Sequence, residues 1–162
     1  MVDQDIFKAG MRLLGGAVNV VTTAKADERY GLTATAVCSL SAEPPMILAC
    51  VNRAGITFDV IKRSGVICIN TLSSNHAALA MHFAGMMGEA ENDRFNEGDW
   101  RKGISGAPVL QDALVSFDCK VSEISVQGTH GIIIGEIQDI HMGQIGSPLF
   151  YLDGKFVTSQ DI

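Results

Sequence analysis

The sequence contains no uninterrupted run of 18 apolar residues, because Gly, Ser, Thr or Asn breaks each long one. No helix is therefore expected to span a membrane. It also lacks any run of Lys and Arg. Twelve Lys and Arg face 18 Asp and Glu, a net charge of −6, so the surface repels phosphate backbones and nucleic acid is not an expected partner. There is no Cys-x-x-Cys. Cys38, Cys50, Cys68 and Cys119 are spread along the chain, each within an apolar β-type run, and read as four small buried side chains rather than a zinc site or disulfide framework. His76 and His82 fall on different faces of a helix, not at the i, i+4 spacing of paired ligands, so no metal is expected. Glycine-rich phosphate loops and the G-x-S-x-G nucleophile elbow are missing too, so any nucleotide must be held by another device.

What remains is a chain of 162 residues and 17.3 kDa with 47% hydrophobic and 19% charged residues. That composition excludes a disordered protein. Residues 1–162 read as one domain, long enough to bury roughly 70% of its unfolded surface without a staple. The opening Met1-Val2-Asp3-Gln4-Asp5 is acidic where a signal peptide needs a basic region, which makes a cytoplasmic protein the expectation.

Asp3 or Asp5 is a candidate N-cap for a short amphipathic helix carrying Phe7, Met11 and Leu14 and ending at Gly15-Gly16. Val18–Thr23 is a β-branched strand. Leu32–Ser41 reads as the clearest strand of all, with Leu32, Ala34, Ala36, Cys38 and Leu40 on one face and mostly hydroxyls on the other. Met46–Asn52 and Val66–Asn70 are further strands. Thr57–Lys62 and His76–Ala84 are short helices, the second capped by Ser73-Ser74-Asn75 and stopped by Gly85. Gly88–Pro108 is a polar loop dotted with glycine. Val115–Val121 and Thr129–Ile140 return to β pattern, and Tyr151–Phe156 is a hairpin on an Asp-Gly turn. The fold class is mainly β with a few short helices, and closure towards a barrel would remove exposed strand edges.

Three stretches could carry chemistry. Thr33, Thr35 and Ser39 form a hydroxyl ladder, with the small Ala34 and Ala36 between them letting a flat ligand approach the backbone; the same pattern also suits a solvated strand face. Asn52-Arg53-Ala54-Gly55-Ile56-Thr57-Phe58 leads from a buried strand into a helix N-terminus, where Arg53 could pair with a phosphate and Thr57 could cap; a plain strand-to-helix turn explains the same residues. Gly128-Thr129-His130-Gly131 offers a ring at the glycine-rich start of a strand, where a lone histidine is otherwise structural.

Taken in order, Ala17–Thr23, Gly31–Ser39, Pro44-Pro45, Cys50–Arg53, Phe83-Ala84-Gly85, Gly106–Leu110 and Gly128-Thr129-His130 resemble the short-chain flavin reductases, the small reductase components of two-component flavin monooxygenases. The resemblance implies a split β-barrel, a homodimer and a groove for FMN or FAD near the subunit interface, with NADH or NADPH as hydride donor. It implies that reduced flavin passes to a separate oxygenase component. Thr33, Ala34, Thr35, Ala36, Ser39 and Leu40 would line the flavin; Cys50, Val51, Asn52, Arg53, Thr57 and Phe58 would hold its ring edge, ribityl chain and phosphate. Phe83, Ala84 and Gly85 would complete the pocket, and His130 and Tyr151 would touch the nicotinamide nucleotide. Arg94 and Phe95 are further candidates from the variable loop. No catalytic acid, base or metal is implied. Relatives often carry serines after the Asn-Arg pair; Ala54 and Gly55 stand here, leaving backbone N–H groups to grip the phosphate. The alternatives are a flavin-binding electron carrier of the same fold and a pyridoxamine-phosphate-oxidase relative. The latter would need a strongly basic phosphate site that twelve scattered basic residues do not offer. A pure interaction module fits the ordered match to a ligand groove poorly.

Overall fold

The computed structural model describes residues 1 to 162 in full. In chain order the elements are α1 (Gln4–Leu13), β1 (Gly16–Ala17), β2 (Asn19–Lys25), β3 (Glu28–Ala34), β4 (Val37–Ala42), β5 (Pro45–Asn52), α2 (Ile56–Ser64) and β6 (Val66–Thr71). Then come α3 (Ala77–Phe83), β7 (Trp100–Lys102), β8 (Pro108–Leu110), β9 (Val115–Gln127), β10 (His130–Met142), β11 (Leu149–Leu152) and β12 (Lys155–Thr158). An antiparallel seven-stranded sheet in the order β3-β2-β6-β9-β10-β5-β4 dominates, with a three-stranded sheet β1-β11-β12 and the small hairpin β7-β8 beside it.

The edge strands of the large sheet, β3 and β4, are separated in sequence by only Thr35 and Ala36. Three peptide steps span at most about 11 Å, so the sheet must roll until its two edges face each other. The Val37 N–H donates to the Thr35 carbonyl at 2.9 Å, and the Cys50 N–H to that of Ala36 at 2.8 Å, fixing the corner. The two edges do not pair, so the barrel is split rather than closed. This corrects the reading of Leu32–Ser41 as one strand: alternation continues through the corner, but the backbone turns there.

Inside the roll lie Val21, Ile47, Ala49, Val51, Ile67, Ile69, Cys119 and Ile133, with Phe58 and Ile61 of α2 closing the cluster. The Phe58 ring sits so close to Gly131 that a Cβ there would overlap it, which explains a glycine in the strand. A second core packs Val18 and Val20 against Leu72, Leu79, Ala80, Phe83, Phe95 and Leu110. Successive residues of β2 thus face different cores, so the strand is buried on both faces from Asn19 to Thr23, polar residues included, instead of alternating between buried and exposed. The Asp3 carboxylate caps α1, accepting from the N–H groups of Asp5 and Ile6 at 3.0 Å, yet no residue of that helix is buried.

Two further expectations are corrected. Cys38 is exposed because β4 is an uncovered edge strand, and Cys50 on β5 is half-buried because it lines an open groove; only Cys68 and Cys119 are buried. The Gly88–Pro108 stretch is not plain loop: it contains a 3-10 helix at Glu91–Asn96 and the strand β7. Its Trp100 packs against Phe83 and Phe95 with ring centroids 5.4 and 5.1 Å apart.

One polar group ties the layers together. Buried Asn70 donates to the Val20 carbonyl at 3.0 Å and accepts from the Leu110 N–H at 2.9 Å and the Ser116 hydroxyl at 2.8 Å. Replacing it with alanine strands these groups without water. Asn70→Ala is expected to cost about 2–4 kcal/mol, read as a lower urea midpoint at unchanged slope. A loss below about 0.5 kcal/mol would contradict this placement.

Candidate functional site

The seam beside the Thr35-Ala36 corner, where the end of β3 faces the ends of β5 and α3 and the start of β10, is the groove of interest. It has a volume of about 310 Å³ and is lined by Leu32, Thr33, Ala34, Thr35, Ala36, Cys50, Asn52, Phe83, Ala84 and His130. That size lies at the lower end of small-molecule sites, roughly 300–1,000 Å³. Pairing of β5 with β10 sets His130 opposite Asn52 and brings Cys50 opposite Ile132, so one end of the groove is built by strand register alone. Thr33, Thr35 and Ala84 also wall a second, more apolar hollow of about 250 Å³, completed by Val18, Ala80, Met81, Met86, Tyr151 and Phe156.

Nine of the residues singled out in the sequence thus meet in the seam: Thr33, Ala34, Thr35, Ala36, Cys50, Asn52, Phe83, Ala84 and His130. Tyr151 stands in the adjoining hollow. Ser39 and Leu40 lie on the exposed edge strand, outside both. Val51, Thr57 and Phe58 are buried, Val51 and Phe58 within the inner core. Gly85 follows α3 with φ +74, a backbone state that suits glycine. Arg53 reaches back to the Gly128 carbonyl at 3.3 Å. Arg94 bonds the Gly31 carbonyl at 3.3 Å and Glu91 at 3.0 Å, and Phe95 is buried beneath Phe83. Met81, Met86 and Phe156 carry no sequence signal for this hollow: the two methionines arrive with α3, packed on β3 through Thr33 and Ala80, and Phe156 arrives with β12.

The hydrogen bonds decide which groups remain free. The Thr33 hydroxyl already donates to the Ala80 carbonyl at 2.6 Å, so towards a ligand it can only accept. The Asn52 side-chain oxygen accepts from the Ala54 N–H at 2.9 Å, leaving the amide NH2 available. His130 Nδ1 pairs with the Thr129 hydroxyl at 2.8 Å, which orients the ring and leaves Nε2 open. Gly55, not Thr57, is the N-cap of α2, and no side chain satisfies the first N–H groups of that helix. Thr57 lies inside its first turn, correcting the expectation that it caps. No carboxylate or metal-ligand cluster lines the groove. The seam therefore offers small residues, amide and hydroxyl groups and one imidazole, which suits binding a flat polar molecule far better than acid–base or metal chemistry.

The chain matches the family model described as a flavin reductase like domain over residues 11–160. It is 44% identical over 150 residues to the FMN reductase (NADH) RutF of Agrobacterium fabrum, covering 93% of this chain and 85% of that protein. To the 4-hydroxyphenylacetate 3-monooxygenase reductase component of Pseudomonas aeruginosa it is 39% identical over 153 residues, covering 94% and 90%. The structure of the flavin reductase PheA2 superposes with a TM-score of 0.89 at 28% identity, covering 99% of this chain and all of that one.

The thiols give a direct check on the seam. Burial, with the neighbouring Asp118 carboxylate, pushes the Cys119 thiol up to about 12 and raises Cys68 well above its usual range. An aromatic disulfide reagent at mildly alkaline pH should modify Cys38 fast and Cys50 more slowly. Cys68 and Cys119 should react only after unfolding. Rapid reaction of all four in the folded protein would contradict the placement of the two buried thiols.

Proposed function

This chain belongs to the flavin reductase-like family, and we propose that it is an NAD(P)H:flavin oxidoreductase whose reduced flavin is consumed by a separate oxygenase component. The observation that carries the reading is the seam groove, narrow, free of carboxylates and walled by Ala34, Ala36 and Ala84 with Phe83 beside them. These residues fit a flavin. Small side chains admit a flat ring against the backbone, the free amide of Asn52 can donate to its polar edge, and the open N–H groups at the start of α2 can hold a phosphate. A bound flavin supplies the acceptor for a hydride from reduced nicotinamide, so the chain provides positioning and exclusion of water rather than a reactive group. His130, fixed by Thr129, presents Nε2 at the groove rim, where it orients the nicotinamide nucleotide. The Thr33–Ala80 bond holds β3 against α3 and keeps the groove's width constant.

Because the relatives at 44% and 39% identity are named for FMN with NADH and for a monooxygenase reductase component, FMN and NADH are the preferred pair. The domain spans residues 1–162 and works in the cytoplasm, where reduced nicotinamide is available. Two copies form the working unit. Ile6, Phe7, Met11, Leu13 and Leu14 around α1 are exposed apolar side chains that a second chain would cover.

Purified protein should oxidise NADH rapidly only when FMN or FAD is added, with FMN and NADH the fastest pair. Flavin binding without turnover would make the protein a carrier. His130→Ala should slow NADH oxidation by about tenfold or more while changing flavin affinity by less than about twofold; equal loss of both would remove His130 from the nicotinamide side. FMN should also protect Cys50, but not Cys38, from thiol modification, a readout independent of turnover. Light scattering should give twice the 17.3 kDa chain mass; the monomer mass would refute the dimer.

A further inference from the structure

At the far end of β3 from the seam, the β2-β3 turn and the segment 100–108 enclose two confluent hollows of about 210 and 500 Å³, sharing Ala24, Ala26, Lys102 and Gly106. Arg29, Arg101 and Lys102 line the first and Lys25 and Lys102 the second, so four of the twelve basic residues of an acidic protein converge here. The ion pairs of the protein engage Lys62, His76, His82 and Arg94 instead, and Asp27 is the single carboxylate among the lining residues. With Asp27 on the wall and Asp118 buried beneath it, four cations still outnumber the carboxylates around the cleft, which raises the local potential and attracts an anion.

The cleft is also built rather than incidental. Its floor rests on Asp118, a carboxylate only 1% exposed. Asp118 accepts from the Ser105 N–H at 2.9 Å and, through its other oxygen, from the Ser105 hydroxyl. Gly103 lies where any Cβ would strike that carboxylate, Gly106 has φ +102, and the Gly103 N–H donates to the Ala107 carbonyl at 2.9 Å. Trp100 is pinned by its indole N–H on the Glu97 carbonyl at 2.6 Å, and the Arg29 guanidinium rests 4.8 Å above the Phe95 ring. The backbone carrying Arg101 and Lys102 is thus fixed before any ligand arrives, which lowers the ordering cost of binding.

We propose that this cleft binds a small phosphate-type polyanion, at a site separate from the flavin groove. Two guanidinium groups can each make paired hydrogen bonds to phosphate oxygens, and the lysines neutralise remaining charge. From Arg29 to Ala34, β3 covers roughly 16 Å, so one compact ligand cannot occupy cleft and seam together.

The test is calorimetric titration of the full chain with inorganic pyrophosphate, and in parallel with ADP, at about 0.1 M salt without divalent metal. One site per chain should appear for pyrophosphate. It should weaken at least about tenfold in the double variant Arg101→Gln/Lys102→Gln and by less than about twofold in Arg53→Gln, which stands near the seam. Saturating FMN should not displace it. Equal affinity for pyrophosphate and ADP would assign the site to the phosphate group alone, and tighter ADP binding to a nucleotide resting on Trp100; both support the cleft. Both exposed substitutions should leave the unfolding midpoint unchanged, and Arg29→Gln gives an independent variant if they do not. No saturation up to about 10 mM, loss in Arg53→Gln instead, or displacement by FMN would overturn the proposal. Because the readout is binding at residues outside the groove, failure here leaves the reductase reading intact, and absence of flavin turnover leaves the cleft intact.

Discussion

Everything in this molecule follows from joining the two edges of a seven-stranded sheet by two residues. A sheet whose first and last strands are consecutive in the chain cannot stay flat, and the right-handed twist of its strands sets the sense of the roll. Had β3 and β4 paired, the result would be a closed barrel filled with side chains. They do not pair: the chain turns at Thr35-Ala36 and leaves a seam. The seam is the one place where a ligand can reach backbone and inner wall together, and the residues there are small. Alanine at 34 and 36 and threonine at 33 and 35 leave room that leucine or phenylalanine would fill.

Helices then play secondary roles. α2 plugs the roll through Phe58 and Ile61, against a strand thinned by Gly131. α3 lies outside β3, held by the Thr33–Ala80 bond, and carries Phe83 to the groove. Phe95 meets both Phe83 and Trp100 edge-on, with centroids 5.0 and 5.1 Å away, so the segment 91–100 buttresses the groove from behind. Such edge-to-face contacts add about 0.5–1.5 kcal/mol each beyond burial, enough to hold an irregular segment in one place.

Much of this was legible in the sequence, and the misreadings share a cause. Strands β2, β5 and β6 and helices α1 to α3 follow local apolar pattern, Asp3 caps as expected, and Asp153-Gly154 forms the hairpin turn with both residues at positive φ. The Thr35-Ala36 corner was invisible because neither residue is a turn former and side-chain alternation persists across it. Cys38 looked buried because an apolar strand with one uncovered face has the same composition as a covered one. The order in 91–108 was hidden since it rests on distant partners: Asp118 for Ser105, Phe83 for Trp100. Within the groove, the hydroxyls and small residues of β3 were recognisable. Met81, Met86 and Phe156 were not, because neither the packing of α3 on β3 nor the three-stranded sheet that brings Phe156 there leaves a mark on local sequence.

The distribution of charge completes the logic. On the proposed function, a groove that admits a flavin and releases it reduced gains nothing from a buried ion pair, since each desolvated charge contact slows departure as well as strengthening the hold. The seam accordingly has no Lys or Arg in its lining, and its polar partners are single hydrogen bonds, each worth about 0.5–1.5 kcal/mol net. The cations gather instead at the opposite end of β3, in front of a loop made rigid by a buried carboxylate. Strong electrostatic binding and rapid exchange make incompatible demands on one site. By spacing them along a single strand, the fold lets the two ends of β3 meet those demands separately.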